Sequence, residues 1–233
     1  MSDSLLDPLA GCRAYLEAHH RQHAAQTQRK QFPVITLSRE AGAGAVTIGE
    51  LAAQLLNRAR KEGPPWTVFD KNLVERVVAD HRFPEHLKQF LPEDARAGVT
   101  SMVEEMLGLH PSAWTLAEHT TETILRLAHL GNVILVGRGA NLIAAKIRPA
   151  VHVRLVAPLE ERIAHNAEYY NLTQAEAAAF TRKADVGRRR YVKRYFRADI
   201  EDPLNYTLTL NTGRLDYQAS AHIIAEAVRQ CGA

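Results

Sequence analysis

The chain has 233 residues, is 46% hydrophobic and carries a formal net charge of +3, which suits one well-filled α/β domain and excludes a disordered polyelectrolyte. So small a charge gives no bulk attraction to nucleic acid. Cys12 and Cys231 lie near opposite ends, no run approaches the roughly 18 apolar residues of a membrane span, and Asp3 and Asp7 interrupt any signal-peptide core. A cytoplasmic protein is expected.

Residues 4–30 read as a polar helical leader, with Leu5, Leu6, Leu9, Cys12, Tyr15 and Leu16 at helical spacing. The leader is expected to pack on the domain or to mediate homo-oligomerisation. His19, His20 and His23 follow, and a solvated helix face is favoured there over a metal site. A first strand over 33–38 is apolar and β-rich, as in a sheet covered on both faces. A helix over 46–61 turns Ile48, Leu51, Ala52, Leu55 and Leu56 inward and stops at Gly63-Pro64-Pro65.

A second strand, Trp66–Phe69, ends at Asp70-Lys71, and a helix-rich block over 72–130 is divided by Pro84, Pro92 and Pro111. The third strand, 132–136, runs into Gly137-Arg138-Gly139-Ala140-Asn141, which opens a helix. A fourth strand over 150–156 precedes a helix with Pro158 in its first turn. A long basic helical stretch covers 173–198, a fifth strand 206–212, and a closing helix 216–229. Strands alternating with helices imply a parallel sheet with right-handed crossovers. Ligands of such sheets bind at strand carboxyl ends. Those ends carry Ser38-Arg39-Glu40, Asp70-Lys71, Gly137-Arg138 and Asn211-Thr212.

The segment 39–47 has the length of a phosphate-binding loop between a strand and a helix. Its Gly42, Ala43, Gly44, Ala45, Val46 and Thr47 would cradle phosphates through backbone amides and the positive end of the next helix. Thr47 is the candidate magnesium-binding hydroxyl. The strict pattern wants Gly at 39 and Lys at 45, where this chain has Arg39 and Ala45. A tight strand-to-helix turn without a ligand is the alternative.

Between 182 and 197 lie eight cations, and Asp185 and Asp199 are the only acids from 182 to 199. Arginines in such a run suit bidentate phosphate contact, with Arg190 and Arg194 expected on one helix face. A plain solvated basic helix is the alternative. Single-stranded nucleic acid stacking on Tyr191, Tyr195 and Phe196 is disfavoured by the small net charge. Asp70 suits acceptor orientation or magnesium contact and equally suits a helix N-cap, and Glu40 is similarly two-sided.

Ile35-Thr36-Leu37-Ser38-Arg39-Glu40 with Gly42 and Gly44, then Phe69-Asp70-Lys71, Val136-Gly137-Arg138-Gly139-Ala140-Asn141 and Asn211-Thr212, occur in order and register. Together these motifs resemble the cytidylate kinase-like family, over roughly 33–230. The resemblance implies a three-layer P-loop NTPase-like α/β fold with a parallel five-stranded sheet. It further implies a helical acceptor-binding insert at 72–130 and a basic lid at 182–197, in a domain spanning 32–233 with 1–31 outside it. ATP and Mg²⁺ are the implied donor and metal, and CMP or a similar nucleotide the implied acceptor. Arg138 is then expected to bind the acceptor together with Asp70, and Asn211 and Thr212 to line the adenine pocket. Arg39, Arg188, Arg190 and Arg194 are expected as the catalytic cations, with Arg182 in the same pool. Three departures stand out: Ala45 for the loop lysine, Val136 where such kinases often carry an aspartate, and Gly139 for the acid after the arginine. Phosphoryl transfer to CMP is the leading expectation. A non-catalytic nucleotide sensor and a kinase of a non-nucleotide metabolite are the alternatives.

Overall fold

The computed structural model describes residues 31–61, 63–70 and 111–231. The leader with its histidines, and residues 71–110, which hold Lys71 and the expected insert as far as its Pro84 and Pro92, lie outside the described residues. In chain order the strands are β1 (Val34–Arg39), β2 (Thr67–Phe69), β3 (Val133–Val136), β4 (Ala150–Val156) and β5 (Leu208–Asn211). The helices are α1 (Ala45–Ala59), α2 (Pro111–Leu130), α3 (Ala140–Ile143), α4 (Leu159–Tyr170), α5 (Gln174–Phe196) and α6 (Tyr217–Cys231).

The five strands form one sheet in the order β2-β3-β1-β4-β5, with every neighbouring pair parallel. After β1 the chain moves outward to β2, returns to β3 and crosses to β4 on the far side. The strand order therefore reverses at β1, and the carboxyl end of β1 is the switch point at which open α/β sheets bind ligands.

One face of the sheet is dry. Ile35, Leu37, Val151, Val153, Leu155 and Leu210 meet Ile48, Ala52 and Leu56 of α1 and Ala221, Ile224 and Val228 of α6 in a single buried cluster. Each valine, leucine or isoleucine among them contributes roughly 1.5–3 kcal/mol on burial. On the other face Val34, Val133 and Leu135 are equally buried, and α2 and α3 pack against β3 and β1. Helices thus cover both sides, as a parallel sheet requires.

Local signals explain where the elements stop. The Asn57 side chain brackets the backbone of Trp66, accepting from its N–H at 2.7 Å and donating to its carbonyl at 3.0 Å, which turns α1 into β2. Pro111 opens α2, and left-handed Gly131 and Asn132 close it and aim the chain into β3. A reciprocal Thr173–Glu176 capping box starts α5. The helix opened by the Gly137 turn is a single turn. One element is shorter than expected: β5 begins at Leu208 because Tyr206 closes a 3₁₀ turn over Pro203–Asn205.

Candidate phosphate-binding site

Beyond β1 the chain makes its turn through two left-handed glycines, Gly42 (φ 84°) and Gly44 (φ 73°), and Gly44 is the N-cap of α1 with no side-chain cap. Among the described residues the N–H groups of Gly42, Gly44, Ala45, Val46 and Thr47 make no hydrogen bond, so the positive end of a 15-residue helix stands open. Thr47 is exposed on that first turn, whereas the Ala45 methyl is buried in the core. The position of the missing lysine is therefore filled by packing. The glycines also have a reason apart from any ligand: a side chain at Gly42 would strike the backbone of Arg162, and one at Gly44 the ring of Tyr217.

The loop is anchored by an ion network that reaches it from α4 and α5. Asp185 accepts the Ala41 N–H at 2.7 Å and pairs with Arg162 Nη1 at 2.6 Å and Arg188 Nη1 at 3.0 Å. Arg162, only 7% exposed, also donates to the carbonyls of Ala41 (3.2 Å) and Ala157 (2.9 Å) and lies 3.3 Å from Glu40. Glu40 accepts the Ala157 N–H at 3.1 Å. The backbone N–H and carbonyl of Ala41 are thus both bound by side chains, which fixes the entry to the loop and leaves its later amides open.

Arg39, at the carboxyl end of β1, lays its guanidinium against Gly137 of the β3–α3 turn. Burial, then the neighbouring Arg188 charge, holds its pKa down at about 10, with Asp70 acting in the opposite direction and Arg138 in the same one. Arg138, left-handed at φ 55°, places its guanidinium 5.8 Å from the Tyr191 ring centre, and the Phe196 ring covers Gly139. The inward face of α5 therefore carries Asp185, Arg188 and Tyr191 over the ends of β1 and β3.

The remaining expected cations of this helix point elsewhere. Arg182, Arg190 and Arg194 are exposed, the last lying 5.8 Å from the Tyr195 ring centre, and Arg189 pairs with Glu201 at 2.6 Å. The structure brings Arg39, Asp70, Arg138 and Arg188 into one electrostatic neighbourhood and leaves Arg190 and Arg194 on the outer surface. Asn211 accepts the Gly213 N–H at 3.0 Å, while the Thr212 hydroxyl reaches the carbonyls of Ala43 and Val156, each at 3.4 Å. Thr212 thus ties the β5 loop to the glycine loop.

Sequence reasoning missed Arg154, Arg162 and Tyr217, and saw Asp185 only as an exception. A lone acid within a basic run was a usable signal for an ion-pair anchor.

The pattern of the cytidylate kinase-like family matches residues 34–214. The chain belongs to that family. Among curated proteins it finds no match. Solved structures that resemble it include an uncharacterized protein from Eubacterium ventriosum ATCC 27560, 18% identical over 86% of this chain and 99% of that one, with a TM-score of 0.66. Shikimate kinase from Bacteroides thetaiotaomicron is 15% identical over 84% and 98% of the two chains, at a TM-score of 0.47. Shikimate kinase from Acinetobacter baumannii is 18% identical over 85% and 94%, at 0.43. At these identities the likeness concerns the fold. Membership of a kinase-like family supports phosphoryl transfer as the general chemistry of this cytidylate kinase-like protein, with a nucleotide among its ligands. Among the described residues no helix is long and apolar enough to cross a membrane.

Proposed function

We propose that this protein transfers the γ-phosphoryl group of ATP to CMP or a related small nucleoside monophosphate in the cytoplasm. The observation that carries the reading is the open amide end of α1 beside two inward-facing arginines, Arg39 and Arg188, at the switch point of the sheet. Unpaired helix amides bind phosphate oxygens without any side chain, so the loop fits a triphosphate despite Ala45. Guanidinium groups spread over the transferred phosphoryl group supply the charge that the lysine would bring. Arg39 and Arg188 fill that role, Arg138 and Asp70 orient the acceptor, and Asn211 and Thr212 border the adenine.

Among the described residues no cluster of three His, Cys, Asp or Glu could hold a metal ion, and Glu40 and Asp185 are engaged by Arg162. Magnesium, which neutralises phosphate charge when bound, would therefore arrive carried by the nucleotide, with Thr47 as the protein's hydroxyl ligand.

A second reading, nucleotide sensing without turnover, is favoured by Ala45 and by the Asp185 carboxylate already bonded to the loop at Ala41. A coupled ATP-consumption assay over a panel of monophosphates separates the two. Turnover on CMP is expected. Arg188→Ala should lower kcat/KM by about 10²-fold or more, while Arg190→Ala and Arg194→Ala should change it by less than about threefold. Thermal stabilisation by ATP with no turnover on any acceptor sinks the kinase reading and leaves the sensor.

A further inference from the structure

The basic run on α5 is only partly used by the site. Asp185, Arg188 and Tyr191 turn toward the strand ends, while Arg182, Lys183, Arg190, Lys193, Arg194 and Arg197 are all exposed. Of the 23 residues of α5, Ala177, Thr181 and Val192 alone are buried, so most of its circumference is open. At about 100° per residue, Arg182, Lys183, Arg190, Lys193 and Arg194 fall within an arc of about 120° opposite that buried flank, and Arg197 follows at the C-cap. They form one stripe about 22 Å long. Among the described residues none of the six makes a salt bridge. Arg189 at the margin pairs with Glu201, and Asp185, the one acid within 182–197, is held inward by Arg162 and Arg188. The whole chain carries only +3, so the rest of the molecule is net negative and the average conceals this face. Arg190 has like-charged neighbours at i+3 and i+4, a spacing that weakens a helix when no anion lies against it.

A polyanion fits such a stripe, and the surroundings select its kind. Val186 is the one large apolar side chain exposed between 182 and 197, too little to enter a lipid surface. The exposed rings of Tyr169, Tyr170 and Phe180 pack on one another off the stripe, with Phe180 about 100° round α5 from its middle. The rings interleaved with the cations are not open to the bases of a single strand. Tyr191 packs on Tyr195 at 4.8 Å and on Phe196 at 5.9 Å, Arg138 lies over it, and all three rings are half-buried. A DNA duplex needs neither insertion nor stacking. A helix about 10–12 Å across fits the roughly 12 Å major groove, and cations on the two margins of the stripe then meet phosphates of both strands. Guanidinium groups, the majority here, take phosphate oxygens in pairs. Between 182 and 197 there is no Asn, Gln, Ser or Thr to read base edges, so contact falls to the backbone.

We propose that the outward face of α5 is a docking surface for the phosphate backbone of double-stranded DNA, without regard to sequence. This surface is independent of the phosphotransfer reading. Fluorescence anisotropy of a labelled duplex of about 20 base pairs, titrated with the full chain at about 50 mM salt, tests it, with a saturating non-hydrolysable ATP analogue keeping the glycine loop occupied. Two duplexes of unrelated sequence should bind within about threefold of each other, and log affinity should fall against log salt with a slope of about −4 to −5. Replacing three cations together, Arg190→Gln, Lys193→Gln and Arg194→Gln, should weaken binding at least tenfold and flatten the slope by about 2–3. Arg188→Gln, on the inward face, should stay within about twofold. No binding to either duplex, a salt slope shallower than about −2, or a loss below tenfold in the folded triple variant overturns the proposal. So does tighter binding to a single strand of the same length, or binding to anionic phosphatidylserine vesicles without binding to DNA. Should the triple variant fail to fold, Arg182→Gln with Lys183→Gln decides: a slope flatter by about 2 supports the surface, and an unchanged slope overturns it.

Discussion

The same two central strands show opposite chemistry on their two faces. Toward α1 and α6, β1 and β4 present Ile35, Leu37, Val151, Val153 and Leu155, each at most 1% exposed. On the other face the residues alternating with these are Thr36 and Ser38 on β1, and His152 and Arg154 on β4, joined as Thr36–His152 at 2.9 Å and Ser38–Arg154 at 3.0 Å. That face starts apolar at Val34 and becomes polar toward the carboxyl end, where the site lies. Parallel strands covered on both sides are ordinarily apolar throughout. On the proposed function the contrast separates two tasks: the dry face holds the sheet together, and the polar face gives up some stability to place charge at the strand ends.

The largest consequence concerns the dry face. Leu37→Ala removes a side chain that is 1% exposed from the middle of the central cluster and should cost about 3–5 kcal/mol. Urea unfolding measures this. A loss under about 1 kcal/mol would mean that the α1–α6 face is not the stabilising one, and the division of labour fails.

The next effect belongs to the polar face and depends on pH. Burial, helped by the Arg148 charge, holds His152 down from its ordinary 6.5 to about 4. The folded protein therefore binds this proton less readily than the unfolded chain. The stability contributed by neutral His152 is complete above about pH 6.5 and is lost as pH falls toward 4, by roughly 3 kcal/mol in all. Its Nδ1 shares a hydrogen bond with the Thr36 hydroxyl, and its Nε2 is buried without a partner, so charging the ring finds no compensation. The pH dependence of urea midpoints should flatten in His152→Gln across this window. An unchanged slope would assign the acid sensitivity to other groups and remove His152 from the polar network.

How much of this division was visible beforehand differs between the faces. The dry face follows from local pattern: the apolar run of β1, the helical spacing of Ile48, Ala52 and Leu56, and the alternation in β4 all point one way. Polar residues at strand ends marked the rim, and Arg39 and Arg138 do reach it. The strand order could not be read off, because alternation fixes parallel pairing and not which strand lies in the centre. Arg154 was hidden within Val151-His152-Val153-Arg154-Leu155, a pattern that reads as an edge or half-buried strand. Its partner Ser38 is 116 positions away in sequence. Helical spacing put Arg190 and Arg194 on one face, as observed, but it could not say which face turns inward. Arg188, Arg190 and Arg194 look alike as residues, and only the packing of α5 on the core, through Ala177, Thr181 and Val192, turns the first inward and the others out.

The smallest effects give the sharpest contrast between the faces. Ile35→Val on the dry face removes one methylene from a fully buried side chain and should cost about 1 kcal/mol. Ser38→Ala on the polar face takes away the oxygen that accepts from Arg154 and should also cost about 1–2 kcal/mol, since Tyr206 keeps its bond to the Ile200 carbonyl. Matched in stability, the two variants should part in binding. Ile35→Val leaves Arg39, Arg154 and Arg188 in place, so its affinity for CMP should stay within about twofold of wild type. Ser38→Ala frees the Arg154 guanidinium, which lines a cleft with Arg39 and Arg188, to rotate, and on the proposed function it should weaken CMP by a factor of about 5–10 through one misaligned charge-assisted contact. Calorimetric titration of CMP into both variants, each checked by urea unfolding, makes the comparison. Equal affinities at equal stability would show that the polar face is only a differently built core, because a network that merely holds the strands together has no cause to act on the ligand.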